Sequence, residues 1–352
     1  MKPDRAVANW LFLLCAMIFG MVVGGGHART IGAGFILQAW EPVTGFIPPL
    51  NAGDWTHLFA LYQQTAQFHA HPITETTFKT LFWPMFLDRC WGRLMALVFL
   101  IPFVIFSWQR RIPRNLALWL LAIFAAGGAQ AAHGWYMVRT GLTPGVLTPP
   151  PSWAAPHFLA AMVIFTALLW TALSIRTPTP EPLETPLKPW LTATIVLILA
   201  TMGFGALVAA TNAITVFNTF PLMDGSFAPP TLFALHPAWE NFIINQATVQ
   251  FFHRLLATLT ALTALTAAIL GLRAENLPPA LRDNFLILAA LVALQYLLGM
   301  ATIVLAAPEL GFVHELNAVL LLAAAICARH QLRGARGGRT LIPSLPAGGP
   351  TP

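Results

Sequence analysis

The chain has 352 residues, of which 57% are hydrophobic and only 9% are charged. A soluble globular domain is about a quarter charged, so this chain has too few polar groups to cover a water-facing surface and must expose most of its surface to lipid. The net charge of +6 does not indicate a nucleic-acid partner, because the basic residues stand in short loops between apolar runs. No CxxC motif or Cys/His cluster supports a disulfide framework or a zinc site, since the three cysteines are Cys15, Cys90 and Cys327.

Eight apolar runs predict eight membrane-spanning helices, because a spanning helix needs about 20 mostly apolar residues. The first run resembles a signal peptide in length, but seven further runs follow it and no small-residue cleavage site stands out, so we interpret it as a first span. The last run is short and should begin about a turn earlier. The predicted spans are Trp10–Gly26, Pro84–Trp108, Leu116–Val138, Trp153–Ile175, Trp190–Ala210, Ala247–Leu272, Phe285–Ala307 and Val313–Ala328.

The distribution of lysine and arginine predicts the orientation of these spans. Basic residues precede the first span, follow the last, and occupy the loops after the second, fourth and sixth spans, whereas the loop between the fifth and sixth spans has none. All the basic segments fall on one side if the spans alternate in direction. The positive-inside rule therefore predicts that both termini are cytoplasmic.

The second half of the chain repeats features of the first half in the same order. Each half has a long outer loop, a span that opens with a polar pair, a span with a Gln-x-x-x-Gly motif, and a span that opens near a histidine. Because each half holds an even number of spans, the repeats should be parallel rather than inverted. The matched features are Trp40–Gly45 and Phe220–Gly225, Asp88-Arg89 and His253-Arg254, Gln130-x-x-x-Gly134 and Gln295-x-x-x-Gly299, and His157 and His314.

The sequence therefore predicts an all-α membrane protein of eight transmembrane helices, arranged as two parallel, pseudo-repeated four-helix bundles. The linker Arg176–Lys188 contains four prolines and is the natural boundary between the halves. We assign residues 1–180 to the first half, 181–332 to the second half and 333–352 to a disordered cytoplasmic tail, since Ser344–Pro352 is rich in proline and glycine.

Two histidines at matched depth form the strongest candidate site. Ionisable groups inside a membrane are expensive, so each one is a candidate for function. His253 and His314 lie near the outer ends of the sixth and eighth spans, in matched repeat positions. A lone histidine there would more often be an interfacial hydrogen-bonding residue. A pair that faces across a bundle can instead ligate one haem iron axially, and the matched positions favour this interpretation.

Three arginines accompany the histidines near the outer ends of the spans. Arg254 follows His253, and Arg89 and Arg93 lie one turn apart on the second span. A guanidinium group suits a carboxylate, and haem carries two propionates. The alternative is that these side chains extend to the outer lipid headgroups, but the outer side is otherwise poor in positive charge.

The first half lacks a histidine where the second half has His253, because Asp88 stands at that position. His157 remains opposite His314. His133 and His27 are possible substitute ligands near the outer ends of the third and first spans, although an interfacial histidine is the simpler interpretation of each.

These residues make the chain resemble the heme A synthase family of cytochrome oxidase assembly enzymes, from about Val22 to Leu332. The lack of a cysteine pair in the loops is typical of the alphaproteobacterial and mitochondrial-like branch of that family. The motifs that carry the resemblance are Arg29 with Gly32-x-Gly34, Trp40-x-Pro42-Val43-Thr44-Gly45-x-x-Pro48-Pro49-Leu50, Trp55, Tyr62-x-x-Thr65, Phe78-Lys79, Arg89-x-x-Gly92-Arg93, Gly134-Trp135-Tyr136-Met137-Val138, Asn218-Thr219-Phe220-Pro221-Leu222-Met223-Asp224-Gly225 and Asn245-x-x-x-Val249-Gln250-Phe251-x-His253-Arg254.

The resemblance implies an enzyme that converts haem O to haem A by successive hydroxylations of a ring methyl group to a formyl group. It implies a haem b cofactor in the second half, ligated by His253 and His314, and a substrate haem in the first half, ligated by His157. The other ligand of the substrate haem falls at Asp88, and an acidic residue of the family falls at Met85. The resemblance makes Arg29, Asp88 and Arg89 catalytic candidates, and Arg93, His157 and Arg254 candidates for haem binding.

Two other functions remain open from the sequence. One is a haem-b-binding homologue without hydroxylase activity, acting in haem handling or electron transfer. The other is a transporter with parallel repeats, which is the weakest because no broken mid-membrane helix stands out. The expected partners are haem O, a haem O synthase, an electron donor in the membrane and the bilayer of the bacterial inner membrane. Nucleic acid is not expected, and a homo-oligomer stays open.

Overall fold

The computed structural model describes residues 4–39, 41, 44–177, 185–274 and 277–334, and within them the chain forms ten α-helices. Three short 3-10 helices lie in the loops, at Thr140–Leu142, Ala213–Thr215 and Ala238–Phe242. The helices are α1 (Arg5–Thr30), α2 (Ala52–Gln63), α3 (Ala66–Ala70), α4 (Glu75–Trp108), α5 (Arg114–Arg139), α6 (Pro151–Arg176), α7 (Leu187–Ala210), α8 (Gln246–Arg273), α9 (Pro279–Val304) and α10 (Pro308–Gln331).

Eight of these helices, α1 and α4 to α10, are long and apolar enough to cross a membrane. No strand is formed within the described ranges, where the only bridge joins Met223 to Ser226. The chain is therefore an all-α, multi-pass membrane protein, as the composition and the apolar runs predicted. Each predicted span coincides with one of the eight helices, and α10 begins at Pro308, more than a turn before the predicted start.

Helix α4 departs most from its predicted span, because it begins nine residues earlier, at Glu75 rather than Pro84. Thr74 caps its first turn by accepting a hydrogen bond from the Thr77 amide at 3.2 Å, and Glu75 pairs with Lys79 one turn later at 2.7 Å. These first turns are polar on one face, so a search for apolar runs does not include them. Capping side chains and one-turn ion pairs nevertheless support a helix there.

The early turns of α4 are buried by the two short helices of the first outer loop. Asn51 and Asp54 cap α2 reciprocally, and the Trp55 ring packs edge-on against Phe82 with centroids 4.9 Å apart. The side chains of Tyr62, Phe78, Phe82 and Met85 are buried in the same cluster. We call Trp55, Tyr62, Phe78, Phe82 and Met85 the outer aromatic cluster.

Four helices form the centre of the molecule: α1 and α6 from the first half, and α7 and α10 from the second. Their buried side chains form one continuous core, which includes Leu11, Met162, Leu191 and Leu322. Helices α4 and α5 flank this centre within the first half, and α8 and α9 flank it within the second. The arrangement is consistent with the predicted pair of four-helix bundles.

Contacts among the basic segments place them at one end of the bundle. Arg111, between α4 and α5, pairs with Asp4 before α1 at 2.6 Å, and its hydrogen bonds to Asp4 hold the pKa of that carboxyl below the usual value. At the same end, Arg329 donates to the Thr192 hydroxyl at 2.7 Å. The middle of the predicted linker, 178–184, nearly all of the predicted tail, 335–352, and Trp40, Pro42 and Val43 of the first loop motif lie outside the described residues.

Candidate functional site

His253 on α8 and His314 on α10 face each other in the second half. Their ring centroids are 6.2 Å apart and the ring planes are inclined by 76°. The Nδ1 atom of His253 lies 3.1 Å from the carbonyl oxygen of Thr201, and Nδ1 of His314 lies 3.0 Å from that of Gln295. An Nδ1–H that donates to a carbonyl fixes the ring and leaves the lone pair of Nε2 free to bind a metal.

The side chain of Gln295 connects α9 to α10 through a short hydrogen-bond network. Its Nε2 lies 3.1 Å from Nε2 of His314 and donates to the lone pair that a metal would bind, so a bound metal would displace this one hydrogen bond. Its Oε1 accepts a hydrogen bond from Asn317 at 2.7 Å. Asn317 also donates to the carbonyl of Leu291 at 3.0 Å. Partners of this kind hold an imidazole in one tautomer and orientation, which is a common feature of histidines that bind metals.

A glycine on the neighbouring helix lies against each of these imidazoles. A Cβ on Gly205 would lie 3.1 Å from Cε1 of His253, and a Cβ on Gly299 would lie 2.9 Å from Cε1 of His314. Both distances are shorter than ordinary carbon–carbon contacts. The two glycines therefore let α7 and α9 approach the histidines more closely than any other residue would allow.

The first half repeats these contacts, except that it has an aspartate where the second half has His253. A Cβ on Gly134 would lie 3.0 Å from Cε1 of His157, and a Cβ on Gly24 would lie 2.2 Å from Oδ1 of Asp88. Asp88 thus lies against α1 as His253 lies against α7. Gly134 and Gly299 belong to the repeated Gln-x-x-x-Gly motifs, whereas Gly24 and Gly205, each in the first span of its half, have no motif in the sequence that predicts their contacts.

The two substitute histidines lie in different surroundings. His133 on α5 is adjacent to His157, with ring centroids 5.3 Å apart and planes at 88°, and it also packs against Trp153. His27 is exposed in the last turn of α1. Three buried atoms of this region have no hydrogen-bond partner among the described residues: Nδ1 of His157, Nε2 of His133 and Oδ1 of Asp88.

The spacing of the paired histidines fits two ligands of one haem iron. Metal–imidazole bonds of about 2.0–2.1 Å place two rings on opposite sides of one metal with centroids roughly 6 Å apart, and the observed separation of His253 and His314 is 6.2 Å. In the first half, the buried and unpartnered atoms of His157 and Asp88 fit a ligand that would complete their bonding. Both halves thus offer a pair of donor side chains at matched positions.

The arginines fasten the outer loops to the helices that carry these side chains. Arg89, next to Asp88, donates to the carbonyls of Leu37 and Ala39. Arg254, next to His253, donates to the carbonyls of Phe217 at 2.6 Å and Thr219 at 2.8 Å.

Arg93 also binds a backbone carbonyl of the first outer loop. It donates to the Glu41 carbonyl at 2.7 Å and lies so close to Gly45 that a Cβ there would be 2.1 Å from its Nη2. Nη1 of Arg93 and Nε of Arg254 are buried and have no partner among the described residues. These two N–H groups are the donors that remain for a carboxylate ligand.

The residue three positions before Asp88 also differs from the residue three positions before His253. In the second half it is Gln250, which is fully buried and donates to the carbonyls of Ala213 and Val216 at 2.7 Å. In the first half it is Met85, which packs in the outer aromatic cluster. The buried amide of Gln250 near His253 is therefore replaced by an apolar thioether, that of Met85, near Asp88.

Arg29 connects the two halves. Its guanidinium, in the last turn of α1, pairs at 2.5 Å with Glu315, the residue that follows His314 on α10. The Glu315 side chain is largely buried in this pairing. Arg29 was predicted as a catalytic candidate, but Glu315 was not predicted as a site residue, although a charged residue next to His314 near the outer end of a span was a signal.

The glycine contacts lead to a prediction with a matched control. Replacing Gly205 with leucine should displace the His253 ring and lower the haem b content of the purified protein by about tenfold or more, as expected when the support of a metal ligand is lost. Replacing Gly203 with leucine should leave the content near the parent value, because a Cβ there meets only the flexible Leu159 side chain at 3.7 Å. The measurement is the haem-to-protein ratio by absorbance. Equal retention by the two variants would contradict the proposed contact.

Known proteins match this chain over nearly its whole length. The model of a family described as "Cytochrome oxidase assembly protein" matches residues 8–326. A relative named "Heme A synthase 1" of Acidiphilium cryptum (strain JF-5) is 55% identical over 338 residues, which cover 95% of this chain and 94% of the relative.

Other relatives carry the same name at lower identity. "Heme A synthase 2" of Acidiphilium cryptum is 41% identical, over 95% of this chain and 93% of the relative. "Heme A synthase" of Granulibacter bethesdensis is 42% identical, over 97% of this chain and 90% of the relative. The chain therefore belongs to the family of cytochrome oxidase assembly proteins.

Proposed function

We propose that this chain is a heme A synthase, a membrane oxidoreductase that converts haem O to haem A by oxidising one ring methyl group to a formyl group. The observation that carries the proposal is the repeated pair of donor side chains, His253 and His314 in one half and Asp88 and His157 in the other, each against a glycine. The names of the relatives support it.

The second half would hold haem b as the resident cofactor. His253 and His314 would ligate its iron through Nε2, while the carbonyls of Thr201 and Gln295 keep Nδ1 protonated. Nε of Arg254 would donate to a propionate. A bis-imidazole haem supplies one-electron transfer, so this half would pass electrons between a membrane donor and the site in the first half.

The first half would bind haem O as the substrate. His157 would ligate its iron from α6, and Nη1 of Arg93 would bind a propionate. Arg89 would hold the start of the first outer loop against α4 through the carbonyls of Leu37 and Ala39. Arg29 belongs to the same outer end and would hold α1 against α10 through Glu315. Asp88 would lie beside the reacting haem and would be an acidic group available there.

The proposed reaction balances with dioxygen as oxidant and a membrane electron donor as reductant. Each hydroxylation replaces one C–H of the ring methyl by C–OH, consumes one dioxygen with two electrons and two protons, and releases one water. The doubly hydroxylated carbon then loses water and becomes the formyl group. The protein contributes the fixed orientation of the substrate, the supply of electrons and the exclusion of bulk water.

A second candidate function is a haem-b-binding homologue without hydroxylase activity. The observation in its favour is the residue at position 85. The family has an acidic residue there, whereas this chain has Met85, which is apolar and packs in the outer aromatic cluster. A thioether neither accepts nor relays a proton as a carboxylate does. A transporter is not favoured, because each of the eight long helices is continuous over its described length.

Haem extraction from cells separates these functions. The chain is expressed in bacteria that lack their own synthase and contain a haem O source, and the extracted haems are resolved by chromatography. We expect haem A or its hydroxylated intermediate, and we expect neither from His157→Ala. Haem O and haem b without any oxidised product from the parent chain would instead support the second candidate.

We also propose that the two halves comprise residues 1–180 and 181–332. Both termini would lie on the cytoplasmic side of a bacterial inner membrane. A reporter fused after Leu332 should report the cytoplasm, and one inserted near Gly225 should report the periplasm. The gathering of basic residues at one end of the bundle supports this orientation. A periplasmic signal from the fusion after Leu332 would reverse it.

A further inference from the structure

Four side chains hold matched positions in the two halves. Three of them are imidazoles, and the fourth is the carboxyl of Asp88. His253, His314 and His157 each place Cε1 next to a glycine of the neighbouring helix, and Asp88 places Oδ1 next to Gly24 in the same way. The backbone relation between the helices is therefore kept, and only the donor group differs.

The carboxyl of Asp88 is buried without the partner that its neighbour would be expected to supply. Oδ1 has no hydrogen-bond partner among the described residues. The adjacent Arg89 directs its guanidinium to the carbonyls of Leu37 and Ala39. A buried carboxylate oxygen without a hydrogen-bond partner is costly, so a cation bound next to Oδ1 would offset that cost.

Neither substitute histidine is placed to take this position. His133 lies on α5 beside the glycine that contacts His157, and its ring centroid is 5.3 Å from that of His157. His133 and His157 thus come together at the contact between α5 and α6, whereas Asp88 lies on α4 against Gly24 of α1. His27 is exposed at the end of α1.

We infer that Asp88 would provide, together with His157, the side-chain donors to a haem iron bound in the first half, which would be a carboxylate–imidazole site where the second half has a pair of imidazoles. Oxygen ligation of haem iron by a protein side chain occurs with the tyrosine of catalase. A carboxylate is a weaker ligand than an imidazole, so the first-half haem should be high spin and exchangeable. The inference rests on the proposed function for the identity of that haem as haem O.

Binding of hemin, the ferric form of iron protoporphyrin, tests the ligand without requiring any turnover. Purified full-length protein is titrated with hemin and followed by absorbance and electron paramagnetic resonance. The parent should show a low-spin component from the second half and a separate high-spin component. Asp88→His should convert the high-spin component to a second low-spin component.

Asp88→Asn keeps the shape of the side chain and removes its charge. We expect it to weaken hemin binding at the high-spin site by about tenfold or more. It should also raise the reduction potential of that haem, because an anionic donor stabilises the ferric state. A merely structural role of Asp88 would not shift the potential. The low-spin component of the second half should stay unchanged in both variants and reports that the protein is folded.

Two adjacent glycines provide a matched control. Gly24→Ala should weaken the high-spin site as Asp88→Asn does, because the new methyl group would lie 2.2 Å from Oδ1 of Asp88. Gly25→Ala should have no effect, because nothing lies within 4 Å of a Cβ at that position. An Asp88→Asn protein with the parent's hemin affinity, spin state and potential would overturn the inference, as would the absence of a high-spin component from the parent. Haem A formation enters none of these readouts, so the failure of this inference and the failure of the proposed function are distinguishable.

Discussion

Replacing either His253 or His314 with alanine should remove the low-spin haem b spectrum of the purified protein. Each imidazole is fixed by a carbonyl and placed across from the other at 6.2 Å, so a single replacement leaves the iron with one ligand. Since loss of only a supporting residue lowers metal affinity by about 10–100-fold, loss of a ligand should be at least as severe.

The control for these variants is His236→Ala, which changes an exposed histidine of the second outer loop. That variant should keep the parent spectrum and haem content. The measurement is the absorbance of the reduced and oxidised protein together with the haem-to-protein ratio. A bis-imidazole spectrum that persists in both the His253→Ala and the His314→Ala protein would contradict the assignment of the second-half site.

The double replacement of Met85 with glutamate and Asp88 with histidine should raise haem A formation by about tenfold. The histidine adds a strong axial ligand at a position already shaped by Gly24, and the glutamate adds a carboxylate one turn away on the same helix face. The measurement is the haem A yield of cells that lack their own synthase.

Single variants show which change matters. Asp88→His alone should raise the occupancy of the first-half site, whereas Met85→Glu alone should lower protein stability, because it buries a charge in the outer aromatic cluster. Robust haem A formation by the parent, unchanged by the double replacement, would show that the ligand of the second span is dispensable here. That result would defeat our interpretation of the first half and leave the site at His253 and His314 untouched.

The spans could be predicted because a side chain that faces lipid must be apolar and the backbone there must be helical. Long apolar runs therefore mark the spans directly in the sequence. The first turns of α4 could not be predicted in this way, since their stability comes from the Thr74 cap and from packing against α2, which forms in a loop without an apolar run. Helix α9 ends at Val304 rather than Ala307, which is a difference of the size expected at helix ends.

The candidate site could be predicted from the sequence where a single residue carries the signal. A histidine within a span is rare enough to stand out, and the repeat pairs His253 with Asp88 and His314 with His157. The glycines opposite these residues were not recognised, because a glycine in a span shows its purpose only when the neighbouring helix is known. The pairing of Arg29 with Glu315 joins residues 286 positions apart, and no local pattern predicts such a contact.

The most direct test of the account supplies purified protein with haem O, a reductant and dioxygen, and follows the product by mass spectrometry. We expect a hydroxylated intermediate followed by haem A, with no product from His157→Ala at equal haem b content. Conversion by the His157→Ala protein at the parent rate would contradict the substrate site, and a parent protein that holds both haems but leaves the ring methyl unchanged would contradict the proposed activity.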